Sequence, residues 1–413
     1  MLLESLVSAV ITKMKMSESE AIENIDSFLK KFGFLKFRAD SSFPYFNEII
    51  LAMKKVNLVR EYFNYTCLRY DETENTNVIM TQCVYCGNSI NVVNGEHEIQ
   101  PMFQIIKAKG LTLLEELKLR REKDMLDQYL MEDYVVNLEQ LMKRKTNLIP
   151  FMGSGLSVPF NLPDWKGMLK GFSSYLKKGY EGYYNDKLEE GDYFEALSYL
   201  KKSSLLSKDE LIQEKIVEVF EERIDMKIER ENHNYLDVLD LNSDFYLTTN
   251  YDNIFSTLRS GFVPPLMWDE IENMQKFLEK KQQSIVHLHG MIHKAKTMIV
   301  TKESYDMLYQ DEHFMRILST FMSNKSFIFL GFSFQDVYFK DLYGKIISKM
   351  GGEHFIILPN ISFTQAQEFS KQNLKVIGIN VKIDPSNGRP DGSDLVKGIK
   401  TILNYINGET KRS

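Results

Sequence analysis

Short apolar runs at 147–152, 244–249, 284–288, 326–331, 354–358 and 375–383 recur through the C-terminal part of the chain, separated by stretches of helical period. No other feature restricts the fold as much. A strand that is apolar along its whole length, with no polar alternation, is buried on both faces. The stretches between, 165–178, 191–202, 208–222, 302–309, 312–323, 335–349, 364–372 and 393–407, read as the helices that cover those faces. The expected fold class is α/β, a parallel sheet with helices on both sides. Ligands in such sheets sit at the carboxyl ends of the strands.

The chain before residue 146 reads differently. Leu and Ile recur at helical spacing in 19–33 and 46–63. Residues 67–105 carry a Val78-Ile79 pair and an Asn94-Gly95 turn, which predict short strands and a hairpin. Residues 110–143 are charged and Leu-rich, predicting a long amphipathic connector. A boundary near residue 145 then separates a mainly helical domain over 1–145 from the sheet domain over 146–413. A length of 413 residues favours two domains.

Charge and cysteine usage narrow the function. A net charge of −6 argues against a general nucleic-acid binder, which carries a basic excess. No apolar run is long enough to span a bilayer. Glu4 and the lack of a basic leader argue against a signal peptide. The 3 cysteines all precede residue 87 and make no secreted disulfide framework. A cytoplasmic protein is expected. Cys83-x-x-Cys86-Gly87 has the look of a knuckle, and Cys67 and His97 would complete a Cys₃His zinc site. The spacing is loose, and reduced buried thiols are the competing reading.

The polar residues that carry chemistry follow the strands. After 147–152 comes Gly153-Ser154-Gly155-Leu156-Ser157, and after 244–249 comes Asn250-Tyr251-Asp252. After 284–288 comes His289-Gly290, and after 326–330 comes Gly331-Phe332-Ser333. Glycines let a backbone turn tightly and a ligand approach, and free N–H groups at such a turn suit a phosphate. His289 has the side chain of a base near neutral pH. Asn250 can orient a water or a hydroxyl but cannot take a proton. Asp252 suits either a helix cap or a ligand contact, and Ser333 either a cap or a ribose contact. His287 and His289 alternate in facing, and His287 is expected to be the packed one.

In this order the motifs resemble the Sir2 (sirtuin-like) family in its bacterial branch. GSGLS at 153–157 resembles the family's glycine loop, and Thr248-Thr249-Asn250-Tyr251-Asp252 its TQNxD motif. His287-Leu288-His289-Gly290 is similar to the catalytic HG motif, and Gly331-Phe332-Ser333 to a ribose-contacting segment. Pro163-Asp164-Trp165 lies where the family has a short loop over the nicotinamide end. The resemblance covers about 146–383. It implies a Rossmann-like sheet that takes NAD as substrate, with no metal required for catalysis. It assigns catalysis to Asn250 and His289, and dinucleotide contacts to Gly153, Ser154, Gly155, Ser157, Asp164, Asp252, Gly331 and Ser333.

One departure bears on the reaction. Sirtuin deacetylases carry two CxxC pairs between the HG motif and the later strands, and this chain has no cysteine after Cys86. An acyl-lysine groove is therefore doubtful. The resemblance implies water as acceptor, with nicotinamide and ADP-ribose as products, in a branch active in antiphage defence. Binding of NAD or ADP-ribose without turnover, and protein deacylation or ADP-ribosylation, are the alternatives. An unrestrained NAD hydrolase would drain its cell. A low resting activity is therefore expected, under the control of residues 1–145 and switched on by assembly into a homo-oligomer or by a second defence protein bound through that region.

Overall fold

The computed structural model describes residues 1–90, 92–259, 265–279, 283–332, 343–344 and 352–410. The chain divides into two compact units, Met1–Asp124 and Met125–Ser413. The division comes earlier than residue 145 because Leu126, Leu130, Tyr134, Leu138 and Leu141 are buried in the core of the second unit.

The first unit packs helices α1 (Leu2–Met14), α2 (Glu18–Phe32) and α3 (Phe46–Lys55) with a four-stranded antiparallel sheet. Its strands are β1 (Phe37–Arg38), β2 (Val59–Cys67), β3 (Glu72–Thr76) and β4 (His97–Ile105), in the order β1-β4-β2-β3. α2 starts at a capping box in which Ser17 and Glu20 satisfy each other's backbone N–H groups. The helix expected over 46–63 stops at Lys55, and Asn57 turns the chain with a φ of 52°. The run that follows, VREYFNYTC, is β-branched and aromatic and forms β2. Phe28, Phe46, Ile49, Met53 and Phe103 anchor the core of this unit.

The second unit is built on a seven-stranded sheet. Its strands are β5 (Leu148–Met152), β6 (Phe245–Thr248), β7 (Leu266–Met267), β8 (Ser284–His287), β9 (Ser326–Leu330), β10 (His354–Pro359) and β11 (Leu374–Ile379). The order is β11-β10-β9-β5-β6-β8-β7, and every pairing is parallel. All residues of β5, β6, β8 and β9 are buried, as the unbroken apolar runs require. Phe151 packs against Phe327 and Phe329 across the β5–β9 pair. The expected α/β fold with a parallel sheet and flanking helices is thus observed. The helix expected over 335–349 falls, apart from 343–344, outside the described residues, and so does Ser333.

Strand order locates the crevice. From β5 the sheet continues through β6, β8 and β7 on one side and through β9, β10 and β11 on the other. Loops leaving β5, β6 and β9 therefore diverge at the sheet's switch point, where open α/β sheets hold their ligands. Gly153, Asn250 and Gly331 all lie in those loops.

Candidate functional site

The glycines first serve the backbone itself. The N–H of Gly153 donates to Leu330 O at 2.8 Å, and that of Gly155 to Gly331 O at 2.9 Å. A Cβ on Gly153 or Gly155 would stand 2.8 Å from Gly331 O. Gly331 has a φ of +74°, and a Cβ there would meet Leu156 N at 2.7 Å. Only glycine allows these loops to touch. The N–H groups of Leu156 and Ser157 also bond within the loop, to Gly153 O and Ser154 O. A phosphate cradle made by the N–H groups of Gly153 and Gly155 is therefore not what the loop presents. It closes as two short 3₁₀ turns, Ser154–Leu156 and Val158–Phe160. The side chains of Ser154 and Ser157 remain to face the cavity.

Beyond β6 a buried polar knot forms. Asn250 Nδ2 donates to Gly153 O at 3.0 Å, with Ser157 Oγ and Tyr235 OH both at 3.2 Å. Ser157 Oγ lies 2.7 Å from both Asp252 Oδ2 and Tyr235 OH. An ionised carboxylate only accepts, so Ser157 donates to Asp252 and Tyr235 donates to Ser157. Asp252 Oδ1 accepts the Ile254 N–H at 3.1 Å, which steadies the start of helix Ile254–Leu258. Asp252 thus combines a cap-like bond with a bond to Ser157. Burial raises its carboxyl, against the lowering effect of the Ser157 and Ile254 bonds. Among the described residues, nothing donates to Asn250 Oδ1, so the fixed amide keeps one acceptor for a water or a ligand hydroxyl.

His289, just past β8, is held from both sides. Tyr309 OH lies 2.8 Å from Nε2 and Tyr305 OH 3.1 Å from Nδ1. Both tyrosines sit on helix Lys302–Gln310, one turn apart on the same face. Burial pulls the imidazole down to about 3, so the ring is neutral at physiological pH. A neutral imidazole has one donor and one acceptor, so one tyrosine accepts from it and the other donates to it. His287 is buried too and pulled down to about 4. Its Nδ1 lies 3.0 Å from Asn250 O, so it braces the loop that carries Asn250.

Ser154, Ser157, Asn250, Asp252 and His289 line one cavity, with Trp165, Phe220 and Phe332 as apolar wall. About 80 Å³ of it is open to a water molecule. A larger cleft, with about 820 Å³ open to water, shares Ser154, Trp165 and Phe332 with it and is lined also by Gly155, Gly331, Asp164 and Arg389. The two together offer room for an elongated ligand, with the polar knot at one end. Asp164 caps helix Trp165–Phe172 by accepting the Gly167 N–H and stands 3.9 Å from Arg389 Nη1. Gly153 lies behind the cavity wall and contributes its carbonyl to Asn250. Sequence reasoning missed Tyr235, Tyr305, Tyr309 and Arg389. The i, i+4 spacing of Tyr305 and Tyr309 was the one available signal.

In the first unit, Cys67, Cys83, Cys86 and His97 come together, with their ligand atoms all within 4.8 Å of one another. No helix among the described residues is long and apolar enough to cross a membrane.

Comparison with known proteins bears out the resemblance read from the motifs. Residues 244–377 match the family model described as SIR2-like domain. That span holds the Asn250, His289 and Gly331 motifs and begins downstream of the 153–157 loop. The chain is 24% identical over 267 residues to NAD(+) hydrolase ThsA of Cytobacillus dafuensis, covering 63% of this chain and 49% of that protein. It is 23% identical over 237 residues to NAD(+) hydrolase ThsA of Enterococcus faecium, covering 55% and 47%. The chain thus spans about half the length of the curated relatives it matches. A solved structure titled "Structural Basis for the Mechanism and Regulation of Sir2 Enzymes" aligns at 14% identity and a TM-score of 0.33, over 68% of this chain and 98% of that one.

Proposed function

The chain carries a SIR2-like domain, and we propose that this domain hydrolyses NAD at the bond between nicotinamide and ribose. The single observation that carries this reading is the shared cavity of Asn250, Ser157, Asp252 and His289 at the switch point of the sheet. In the reaction, the C–N electron pair leaves with nicotinamide. Water adds to the ribose carbon, and its proton leaves to a base. The products are nicotinamide, ADP-ribose and a proton. Asn250 Oδ1 orients the water or a ribose hydroxyl, while its Nδ2 is tied to Gly153 O. His289 is the base. Ser154, Ser157 and Asp252 hold the ribose end, and Gly155, Gly331, Asp164 and Ser333 belong to the remainder of the dinucleotide path. The curated relatives named NAD(+) hydrolase support the same reaction.

The geometry also supports a restrained enzyme. A base works best with a pKa near the working pH, and His289 is pulled down to about 3 with both nitrogens occupied. Its release from Tyr305 and Tyr309 is the step that an activator would control. We assign that control to the N-terminal region, through self-assembly or a second protein. We place the whole in the cytoplasm as an NAD-depleting effector of antiphage defence. The occupied histidine equally favours a second reading, a sensor that binds NAD without turnover.

The test is nicotinamide and ADP-ribose release by the purified full chain, alone and with infected-cell extract. Hydrolysis that falls on the order of 10²-fold or more in both Asn250→Ala and His289→Ala supports the reading. Wild-type rates in either variant overturn that residue's role. Saturable NAD binding with no nicotinamide release under any condition establishes the sensor instead. Release only with a protein acceptor establishes a transferase.

A further inference from the structure

We propose that Cys67, Cys83, Cys86 and His97 bind one zinc ion that holds together the outer end of the first unit's sheet. The four residues come from separate places. Cys67 ends β2 and His97 begins β4, and the antiparallel register sets them directly opposite each other. Cys83 and Cys86 lie on the turn between Thr81 and Ile90, which an isolated Gln82–Ser89 bridge closes. The fold thus carries a two-cysteine turn to a cross-strand Cys–His pair, and the ligand atoms of all four lie within 4.8 Å.

The local geometry is that of a metal knuckle. Gly87 turns the chain with a φ of +73°, and its N–H donates to Cys83 O at 3.0 Å. Cys86 Sγ stands 3.5 Å from His97 Nε2. Ligands at tetrahedral zinc, with Zn–S of about 2.3 Å and Zn–N of about 2.0 Å, lie about 3.5 Å apart for sulfur and nitrogen. A Cys₃His set with all four positions taken by protein is a closed, structural site rather than a catalytic one.

Around the cluster, hydrogen bonds such as Met80 N–H to Tyr65 OH at 2.9 Å order the chain, but apart from Tyr65 little apolar surface is buried there. The apolar core of the unit takes Val59 from β2 and Phe103 and Ile105 from β4, at the far end of the strands from Cys67 and His97. At about 3.3 Å per residue that is roughly 20–26 Å away. Around the cluster, Val78, Ile79 and Val84 are exposed rather than packed. A loop excursion that buries so little apolar surface needs a cross-link to hold its shape.

The experiment uses the full chain, purified under reducing conditions and dialysed against metal-free buffer. Elemental analysis is expected to find one zinc per chain. Replacement by Co²⁺ should give the intense visible absorption of tetrahedral cobalt with thiolate ligands. In the native protein the thiols should resist Ellman's reagent until a strong chelator is added. The double variant Cys83→Ser/Cys86→Ser should lose the metal and keep its tryptophan fluorescence, since both tryptophans, Trp165 and Trp268, lie in the other unit. A folded wild-type chain that holds no zinc, takes up neither Zn²⁺ nor Co²⁺, and exposes its thiols equally with and without chelator overturns the proposal. Because that arm uses the wild type, an unstable variant cannot mask the answer.

Discussion

Acid should unfold the second unit through its buried histidines, and the size of the effect follows from the structure. His289 falls from an ordinary value of 6.5 to about 3 in the fold, and His287 to about 4. Both shifts are downward, so between the folded and unfolded values the unfolded chain binds more protons. Stability is therefore complete above about pH 7 and is lost as pH falls through 6.5 toward the folded values. At about pH 5 the loss is about 2 kcal/mol for each histidine, or about 4 kcal/mol for the two. That is a large part of the 5–15 kcal/mol or so that holds a typical domain together. Asp252 works the other way, because burial raises its carboxyl and acid favours its folded, neutral form. A comparison of wild type with His289→Asn removes this offset. Urea unfolding followed by tryptophan fluorescence reads the second unit alone, since Trp165 and Trp268 both lie there. Between about pH 7.5 and pH 5, the variant should lose about 2 kcal/mol less than wild type. Equal losses in the two proteins would refute a buried, neutral His289.

Gly331→Ala should lower the melting temperature and weaken NAD binding. The left-handed backbone alone costs about 1–2 kcal/mol, and the new Cβ must push back Leu156 N from 2.7 Å. An unchanged melting curve would show that the loops do not need to touch. Tyr235→Phe should cost about 1–3 kcal/mol by leaving Ser157 and Asn250 short of a buried partner, measured by denaturant titration. Tyr309→Phe removes the hydroxyl beside His289 Nε2 and should raise basal nicotinamide release by the purified chain. A fall in that rate would make Tyr309 a positioning residue rather than a restraint.

The sheet was legible because burial on both faces leaves a plain mark. LIPFM, FYLT, SIVH and SFIFL are continuous apolar runs, and each became a fully buried strand. β7 escaped because Leu266–Met267 is only two residues long. Helix Glu181–Glu190 escaped because it buries only Tyr184 and Leu188 from the sequence EGYYNDKLEE, too few to set a period. The cysteine cluster stayed ambiguous for another reason. Its spacing makes sense only once the β2–β4 register puts Cys67 opposite His97, and register is a tertiary fact.

At the candidate site, residues that follow strands could be read, and residues that reach in from helices could not. Asn250, Asp252 and His289 stand just past apolar runs, and strand order alone gathers them. Tyr235, Tyr305 and Tyr309 come from helices whose local pattern says only that they are half apolar. Yet these tyrosines decide how the site behaves at rest. Asn250 shares two amide hydrogens among three acceptors and keeps Oδ1 open, so an incoming hydroxyl can bond to it without breaking anything. His289 has one tyrosine on each nitrogen, so any water that uses it must first displace a buried hydroxyl. Each such bond is worth about 1 kcal/mol net, and more if the displaced tyrosine finds no other partner. Asn250 Oδ1 is thus open, whereas both nitrogens of His289 are taken. The tyrosines of helix Lys302–Gln310 hold the histidine and take no part in the Asn250 knot.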